Sequence, residues 1–458
     1  MSRERLVVIG GVAAGLSAAS QARRLSRWLE IRVYEKGPDI SYSACGLPYF
    51  VEGLVPDADS LRVHSPEFFR TEREIDVLTE HEVVEISASR RRVTVVTPGG
   101  AAPEGVPYDH LVIATGAEPA WPDIEGADLG GVFHVNNLQS TLALKQHLTS
   151  GSVRRAVIVG GGYIGLEMAE ALRTPERAVT ILEGSPHLFE SVDPEIVEVV
   201  RQELARCGVE AMTSARVMAL AGDSPRGGAK ASVRRVHSEQ GSFEADCVVL
   251  ATGVRPRAKI AAEAGIELGV EGAIAVNDYL ETSAAGVLAA GDCADTLNLV
   301  SGRRTYVPLG TTANKQGRIA GENAAGGRTR FPGIVGTAVV KVFNLEVGRT
   351  GLNRKQAQEA GYRIAEATVR AAARARYLGG QDIMVKLIAD RSSGRLLGAQ
   401  MAGPEGVAKR IDVLATALHA RLTAEQVYQL DLSYAPPFST VWDPILIAAR
   451  RLVHALKS

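Results

Sequence analysis

Short apolar runs recur along the chain, and two of them lead directly into clustered glycines. Leu6-Val7-Val8-Ile9 precedes Gly10-Gly11-Val12-Ala13-Ala14-Gly15, and Ala156-Val157-Ile158-Val159 precedes Gly160-Gly161-Gly162-Tyr163-Ile164-Gly165. Four consecutive apolar positions without alternation predict strands buried on both faces, as in a parallel sheet. Helix-compatible stretches follow, Leu16 to Leu29 and Leu166 to Leu172, and then second strands, Ile31-Arg32-Val33-Tyr34 and Val179-Thr180-Ile181-Leu182. Each second strand ends in an acid, Glu35 (with Lys36 after it) or Glu183. In such a strand–turn–helix the backbone amides meet a pyrophosphate, and the acid about twenty residues on bonds ribose hydroxyls. The second loop is a complete GxGxxG, whereas the first departs from it at Val12.

Two such units in one chain predict two bound dinucleotides, one flavin adenine dinucleotide (FAD) and one nicotinamide. Gly10, Gly11, Ala13, Ala14, Gly15, Glu35 and Lys36 are the candidates in the first unit. Gly160, Gly162, Tyr163, Ile164, Gly165 and Glu183 are those in the second. A carboxylate at Glu183 suits the free 2′-hydroxyl of NADH, and Gly184 and Ser185 follow it with no cation close in sequence. NADH is therefore the expected donor, with NADPH possible. Three more apolar strands end in Ala114-Thr115-Gly116, in Ala251-Thr252-Gly253 and in Gly291-Asp292.

The order of these turns relative to the two glycine loops resembles the two-dinucleotide flavoprotein disulfide reductases, over nearly the whole chain. The resemblance implies that the Ala-Thr-Gly turns lie where the chain crosses between nucleotide domains, and that Asp292 bonds the flavin's ribityl chain. The implied fold is α/β: two Rossmann-like dinucleotide-binding domains plus a C-terminal α+β dimerisation domain. The expected boundaries are an FAD domain in two pieces, residues 1–117 and 246–328, an NAD(P)H domain at 118–245, and a dimerisation domain at 331–458. Arg90 to Gly105 and Ala221 to Gly228 read as hairpin or loop segments.

The stretch Ser41-Tyr42-Ser43-Ala44-Cys45-Gly46-Leu47-Pro48-Tyr49 resembles the single-cysteine branch of that superfamily, which contains coenzyme A (CoA) disulfide reductases, NADH oxidases and NADH peroxidases. Ser41 stands where two-cysteine relatives carry their other cysteine. One sulfur forms no intramolecular disulfide, so its oxidised state is a mixed disulfide with a small thiol or a sulfenic acid. A helix starting after Cys45 is expected to lower the thiol's pKa. Cys207, Cys247 and Cys293 read as packing residues. Near the C-terminus, Tyr434-Ala435-Pro436-Pro437-Phe438-Ser439 resembles a stretch of the CoA disulfide reductases whose tyrosine reaches the partner subunit's cysteine. A second family tyrosine loop corresponds to Arg376-Tyr377-Leu378-Gly379, with Arg376 replacing its first tyrosine. Gln21 and Arg24 match the family's contacts to the coenzyme's phosphate end.

Three functions remain open at this point. The first is NADH-dependent reduction of CoA disulfide, or of CoA persulfide or polysulfide, in a homodimer with shared active sites. The second is an NADH oxidase or peroxidase, for which the histidine of the first loop is replaced by Ala13. The third is a non-catalytic flavoprotein redox sensor.

Composition narrows the partners. The chain has 458 residues, 46% hydrophobic and 22% charged, with a formal net charge of -1 and no run of like charges. That leaves no electrostatic footprint for nucleic acid. No apolar stretch approaches the length of a membrane span. Four cysteines without zinc-site spacing suit a reducing compartment, and a cytoplasmic location is expected. No rhodanese-like domain, which some relatives append, is expected after the C-terminal region.

Overall fold

Arg5–Ile9 pairs in parallel with Glu30–Tyr34 on one side and with His110–Ile113 on the other. Asp76–Leu78 and Val287–Ala289 complete a five-stranded parallel sheet at its two edges. The computed structural model describes residues 3–100, 102–223 and 231–457. The helix after the first strand runs Ala13–Leu25, starting earlier and stopping sooner than the hydrophobic pattern predicts. It stops because the Arg23 guanidinium donates to the carbonyls of Ser26 (3.1 Å) and Leu29 (2.8 Å), which turns the chain.

The second glycine unit builds a second parallel sheet of the same design. Its order is Val209–Met212, Ala178–Leu182, Arg155–Val159, Cys247–Leu250 and Val132–Phe133. The expected boundary at residue 246 is therefore corrected, since Cys247–Leu250 pairs with Arg155–Val159 and the chain leaves this domain at Thr252-Gly253. An apolar strand does not carry its sheet membership in its own residues; pairing across some ninety positions decides it. The two crossings lie side by side, where Ala117–Pro119 and Val254–Pro256 form an antiparallel pair. Thr115 Oγ1 donates to the Arg257 carbonyl (2.6 Å), and the Ala120 amide to that of Gly253 (2.9 Å).

Two small antiparallel sheets flank these domains. One holds Arg92–Val96 and Glu104–Pro107, the hairpin expected in that region. The loop expected over Ala221 to Gly228 is described only as far as Asp223, and its remainder lies outside the described residues.

The helix Gly310–Ala324 returns to the first domain and lies against Ala13–Leu25. A Cβ on Gly317 would stand 2.2 Å from the Ala14 carbonyl oxygen, and one on Gly321 2.0 Å from that of Ala18. The backbones touch there, so only glycine fits. The C-terminal region forms a five-stranded antiparallel sheet, Ala338–Val342, Leu345–Gly351, Leu396–Gly403, Asp382–Asp390 and Ile364–Ala372, with helices Val407–His419 and Pro444–Lys457 against it. A buried ion cluster fastens this sheet to the second domain. Lys386, wholly buried, meets Asp193 (2.9 Å), Glu195 (3.1 Å) and Glu366 (3.3 Å). Gln400 and the Arg354 amide hold Asp193 in turn.

Candidate active site

Both glycine loops use one geometry. Gly10 has φ +112° and Gly160 φ +108°, and a Cβ on either would strike a carbonyl oxygen, that of Ala114 (2.2 Å) or Ala251 (2.3 Å). Each Ala-Thr-Gly turn thus presses on the first glycine of its own loop. Cβ atoms on Gly15 and Gly165 would likewise strike the Gly10 and Gly160 carbonyls. Glu35 accepts from the amides of Gly11 and Gly37 (both 2.8 Å), and Glu183 from Gly161 (2.7 Å) and Ser185 (2.8 Å). The acids lock the turns they face. Gly161 was not among the expected site residues, although its counterpart Gly11 was. Gly162 has open space where its side chain would be, room for a ligand to approach the backbone. Ala13 and Ala14 open the first helix, Tyr163 and Ile164 the second, and Tyr163 meets Phe189 edge-on at 4.6 Å. Lys36 is exposed beside Glu35.

The surroundings of Glu183 require one correction. Gly184 packs against the backbone of Arg216, its Cβ position 3.7 Å from the Arg216 Cα. The backbone of an arginine remote in sequence therefore borders this turn.

Asp292 follows Gly291 (φ +83°), and Gly291 closes against Ala14 of the first loop. The Asp292 carboxylate takes no hydrogen bond from any described residue, and burial pushes its pKa up to about 6. A half-buried acid left without a donor, beside the glycine loop that opens the first helix, fits a ligand rich in hydroxyls and phosphate such as FAD.

Cys45 lies in a single turn, Ala44–Gly46, that runs into the helix Leu47–Glu52. Ser41 has φ 48°, its amide donates to the Gly11 carbonyl (3.1 Å), and its carbonyl accepts from Val63 (2.7 Å). Ser41 therefore acts through its backbone, tying the cysteine segment to the first glycine loop. A Cβ on Gly310 would stand 4.0 Å from Cys45 Sγ, which places the sulfur at the first turn of the helix Gly310–Ala324.

The expected lowering of the thiol pKa is not what the protein around it produces. Burial, with the Glu167 and Asp292 carboxylates, pushes the Cys45 thiol up. The six-residue helix after Cys45 is too short to outweigh burial and the two carboxylates, while the partial positive charge at the start of Gly310–Ala324 opposes them. Cys45 is nonetheless open to solvent in the single chain, whereas Cys247 and Cys293 are buried. Cys293 donates to the Ile113 and Ala290 carbonyls (both 3.4 Å), as a packing residue does.

Glu167 is the residue that sequence reasoning missed. It lies one turn into the helix Tyr163–Leu172, which packs on Leu47–Glu52. Burial and the nearby Glu170 push its pKa up to about 7, against a hydrogen bond from Tyr49. Glu170 itself is held by Lys341 and by the Phe343 amide (2.8 Å). The periodicity of the helix marks Glu167 as lying on its half-buried side; nothing local marks its partner Tyr49.

Tyr434 lies in an exposed loop, 51% accessible, and its phenol makes no hydrogen bond to any described residue. The Ala375 amide donates to the Pro436 carbonyl (3.1 Å), which brings the Arg376–Leu378 turn beside it. Tyr377, Phe438, Val441 and Trp442 are also exposed, so several large apolar side chains of the C-terminal region face solvent in the single chain. On the first domain, Arg24 donates to Gln21 (3.3 Å), so the two expected substrate contacts form one patch.

This arrangement defines a two-dinucleotide oxidoreductase with one sulfur at the junction of its nucleotide domains. The chain belongs to the pyridine nucleotide-disulphide oxidoreductase family, whose model matches residues 4–317, and that family's dimerisation domain matches residues 337–444. It is an oxidoreductase that uses FAD and NAD(P)H. It is similar to an NAD(P)H coenzyme A polysulfide/persulfide reductase of Pyrococcus horikoshii, 38% identical, with 98% of each chain covered. An NADH oxidase of Methanocaldococcus jannaschii is 36% identical, covering 99% of this chain and all of that one. Among solved structures, an NAD-dependent persulfide reductase from A. fulgidus superposes with a TM-score of 0.94 at 40% identity, covering 98% of this chain and 83% of that one. No described helix is long and apolar enough to cross a membrane.

Proposed function

We propose that this enzyme reduces CoA persulfide or CoA disulfide with NAD(P)H through a mixed disulfide on Cys45. The observation that carries the reading is one exposed sulfur in the segment tied to the first glycine loop, with no second thiol in that segment, Cys207 only partly accessible and Cys247 and Cys293 buried. The first glycine loop, Glu35 and Asp292 would hold FAD, and Gly162, Tyr163 and Glu183 the nicotinamide dinucleotide. Bound FAD supplies a two-electron link between NAD(P)H and sulfur.

The Cys45 thiolate attacks the CoA-bearing sulfur of a disulfide or persulfide, forming Cys45–S–S–CoA and releasing CoA thiolate or hydrosulfide. Two electrons then cleave that bond, regenerating the Cys45 thiolate and freeing CoA thiolate, which takes a proton on leaving. Tyr434 of the second subunit in a homodimer donates that proton or steadies the thiolate. The exposed aromatic area around Tyr434 supports this pairing, since it would otherwise remain uncovered. Ala13 can donate neither a proton nor a hydrogen bond to a sulfenate, which favours sulfur over peroxide as the substrate. The likeness to an NADH oxidase keeps oxygen reduction as the second reading.

The test is a pair of variants assayed with CoA persulfide or CoA disulfide. Cys45→Ser should retain FAD and lose turnover by roughly 10³-fold or more. Tyr434→Phe should lose roughly ten- to hundredfold. Full activity of the Cys45→Ser enzyme overturns the mechanism, and full activity of Tyr434→Phe removes only the acid.

A further inference from the structure

The loop that carries Tyr434 is exposed at its tip and anchored at its base. Tyr434 and Phe438 face solvent, while Ser439 and Asp443, a few positions on, are buried. The amides of Phe438 and Ser439 both donate to the Ala435 carbonyl (2.9 and 3.0 Å), closing a single turn directly after Tyr434. The base of that turn rests on Arg410, from the helix Val407–His419. Arg410 Nε donates to Asp443 Oδ2 (2.9 Å), and Ser439 Oγ donates to the same oxygen (2.9 Å). Arg410 Nη2 donates to the Ala373 carbonyl (2.7 Å) and, at 3.4 Å, to the Phe438 carbonyl and to Ser439 Oγ. Nη1 donates to the Gly406 carbonyl (3.1 Å). Gly406 has φ +74°, and a Cβ there would stand 2.3 Å from Arg410 Nη1, so the start of the helix leaves room for the guanidinium.

One side chain thereby holds two loops. Ala373 follows the strand Ile364–Ala372 and leads into the turn Arg376–Leu378, which carries Tyr377 and is joined to the Pro436 carbonyl through the Ala375 amide. Glu405 secures the neck of that turn, accepting from Arg374 (2.8 Å) and from the Gln381 amide (3.2 Å). The Tyr434 phenol bonds to no described residue, so its direction is set by the backbone that Arg410 and Asp443 hold. A buried ion pair adds little net stability over apolar side chains of the same volume. What the pair adds here is direction, because a planar fork of N–H groups fixes several acceptors at once.

We propose that Arg410, seated on Asp443, is a positioning residue for the step in which the phenol meets the departing thiolate: it aims Tyr434 at the Cys45 of the other subunit. This rests on the role given to Tyr434 above. Arg410 acts through Tyr434, so its effect disappears when the phenol is gone. The effect is also felt at the second subunit's sulfur and not at the one in its own chain.

The experiment is a double-mutant cycle between Arg410→Gln and Tyr434→Phe, with CoA disulfide as substrate. Arg410→Gln should lower kcat roughly three- to thirtyfold, with flavin content and the rate of anaerobic flavin reduction by NADH unchanged. In the Tyr434→Phe background the same substitution should cost less than about twofold. Arg410→Lys, which keeps the charge and loses the fork, should fall between Arg410→Gln and the wild type. Mixed dimers then locate the effect. A dimer of one Arg410→Gln subunit and one Cys45→Ser subunit keeps one site with an intact Cys45 and an intact Arg410–Tyr434 loop, and should run at about half the wild-type rate. A mixed dimer as slow as the Arg410→Gln enzyme would show that Arg410 serves its own subunit, and the assignment falls. Losses that add in the double variant, or a slowed flavin reduction, mean a general loss of structure and overturn the assignment while the acid reading stands. If Arg410→Gln does not fold, Ser439→Ala frees the loop and keeps the Arg410–Asp443 pair; a loss there that adds to that of Tyr434→Phe overturns the assignment equally. A fully active Tyr434→Phe enzyme removes the acid, and this inference with it.

Discussion

At the scale of single residues the site is a balance of charges around one sulfur. Burial holds the Cys45 thiol up, and deprotonated Glu167 and Asp292 add to it, disfavouring the thiolate that must attack. Because Glu167 titrates near 7, it is uncharged on the acid side of neutrality and charged on the alkaline side. Its penalty on the thiolate therefore grows as pH rises through 7. Glu167→Gln removes that penalty: the Cys45 pKa, followed by ultraviolet thiolate absorbance, should fall, and a step near pH 7 should vanish from the kcat/KM profile. An unchanged thiol titration would separate Glu167 from Cys45. The same pair shows what the sequence could and could not display. Cys45 was legible because its segment is a contiguous motif, and Glu35 and Glu183 because a strand end lies at a fixed distance from a glycine loop. Glu167 was not, because what raises it is chiefly the burial made by packing its helix on Leu47–Glu52, more than a hundred positions away, with Glu170 adding to it. The Arg216 segment beside Gly184 escaped notice for the same reason.

At the scale of elements, strands and loops were legible where sterics are local. The first and last glycine of each loop face a carbonyl that excludes a Cβ, so the residue type itself reports the turn. The sheet to which Cys247–Leu250 belongs carries no such mark, and there the boundary had to move. The contact between Ala13–Leu25 and Gly310–Ala324 depends on Gly317 and Gly321 in the same way, at long range. Gly317→Ala gains helix propensity but forces the helices apart at the Ala14 carbonyl. One helix begins at the nucleotide loop and the other beside Cys45, so the displacement reaches both. The variant should lose about 1–3 kcal/mol of stability and release its flavin more readily, read as a lower Tm together with a fall in bound FAD. A variant that gained stability would show that the helices can separate without cost.

At the scale of the whole molecule, Lys386 and its acids decide how the nicotinamide domain is held. The cluster joins Asp193 and Glu195 of the second domain to Glu366 and Gln400 of the C-terminal sheet. Lys386→Met takes from Asp193 its buried cation, while Glu195 and Glu366 keep the Arg354 guanidinium, at a cost of about 3–5 kcal/mol. Protonation relieves a buried carboxylate left without its cation, so the variant's Tm deficit should be largest above neutrality and shrink as pH is lowered. A deficit independent of pH would mean that packing, and not charge, holds the domains together. The first sheet has a different dependence, one in time. It lacks the edge strand Val287–Ala289 and the covering helix Gly310–Ala324 until the whole intervening domain has been made, and His110–Ile113 precedes that strand by on the order of 170 residues. At ribosomal rates of about 5–20 residues per second, the nascent chain carries an unfinished apolar edge for roughly 10–35 seconds. The middle domain, though second in the gene, can complete its sheet first, and the N-terminal segment is the part of the newborn protein whose apolar edge stays open to aggregation longest.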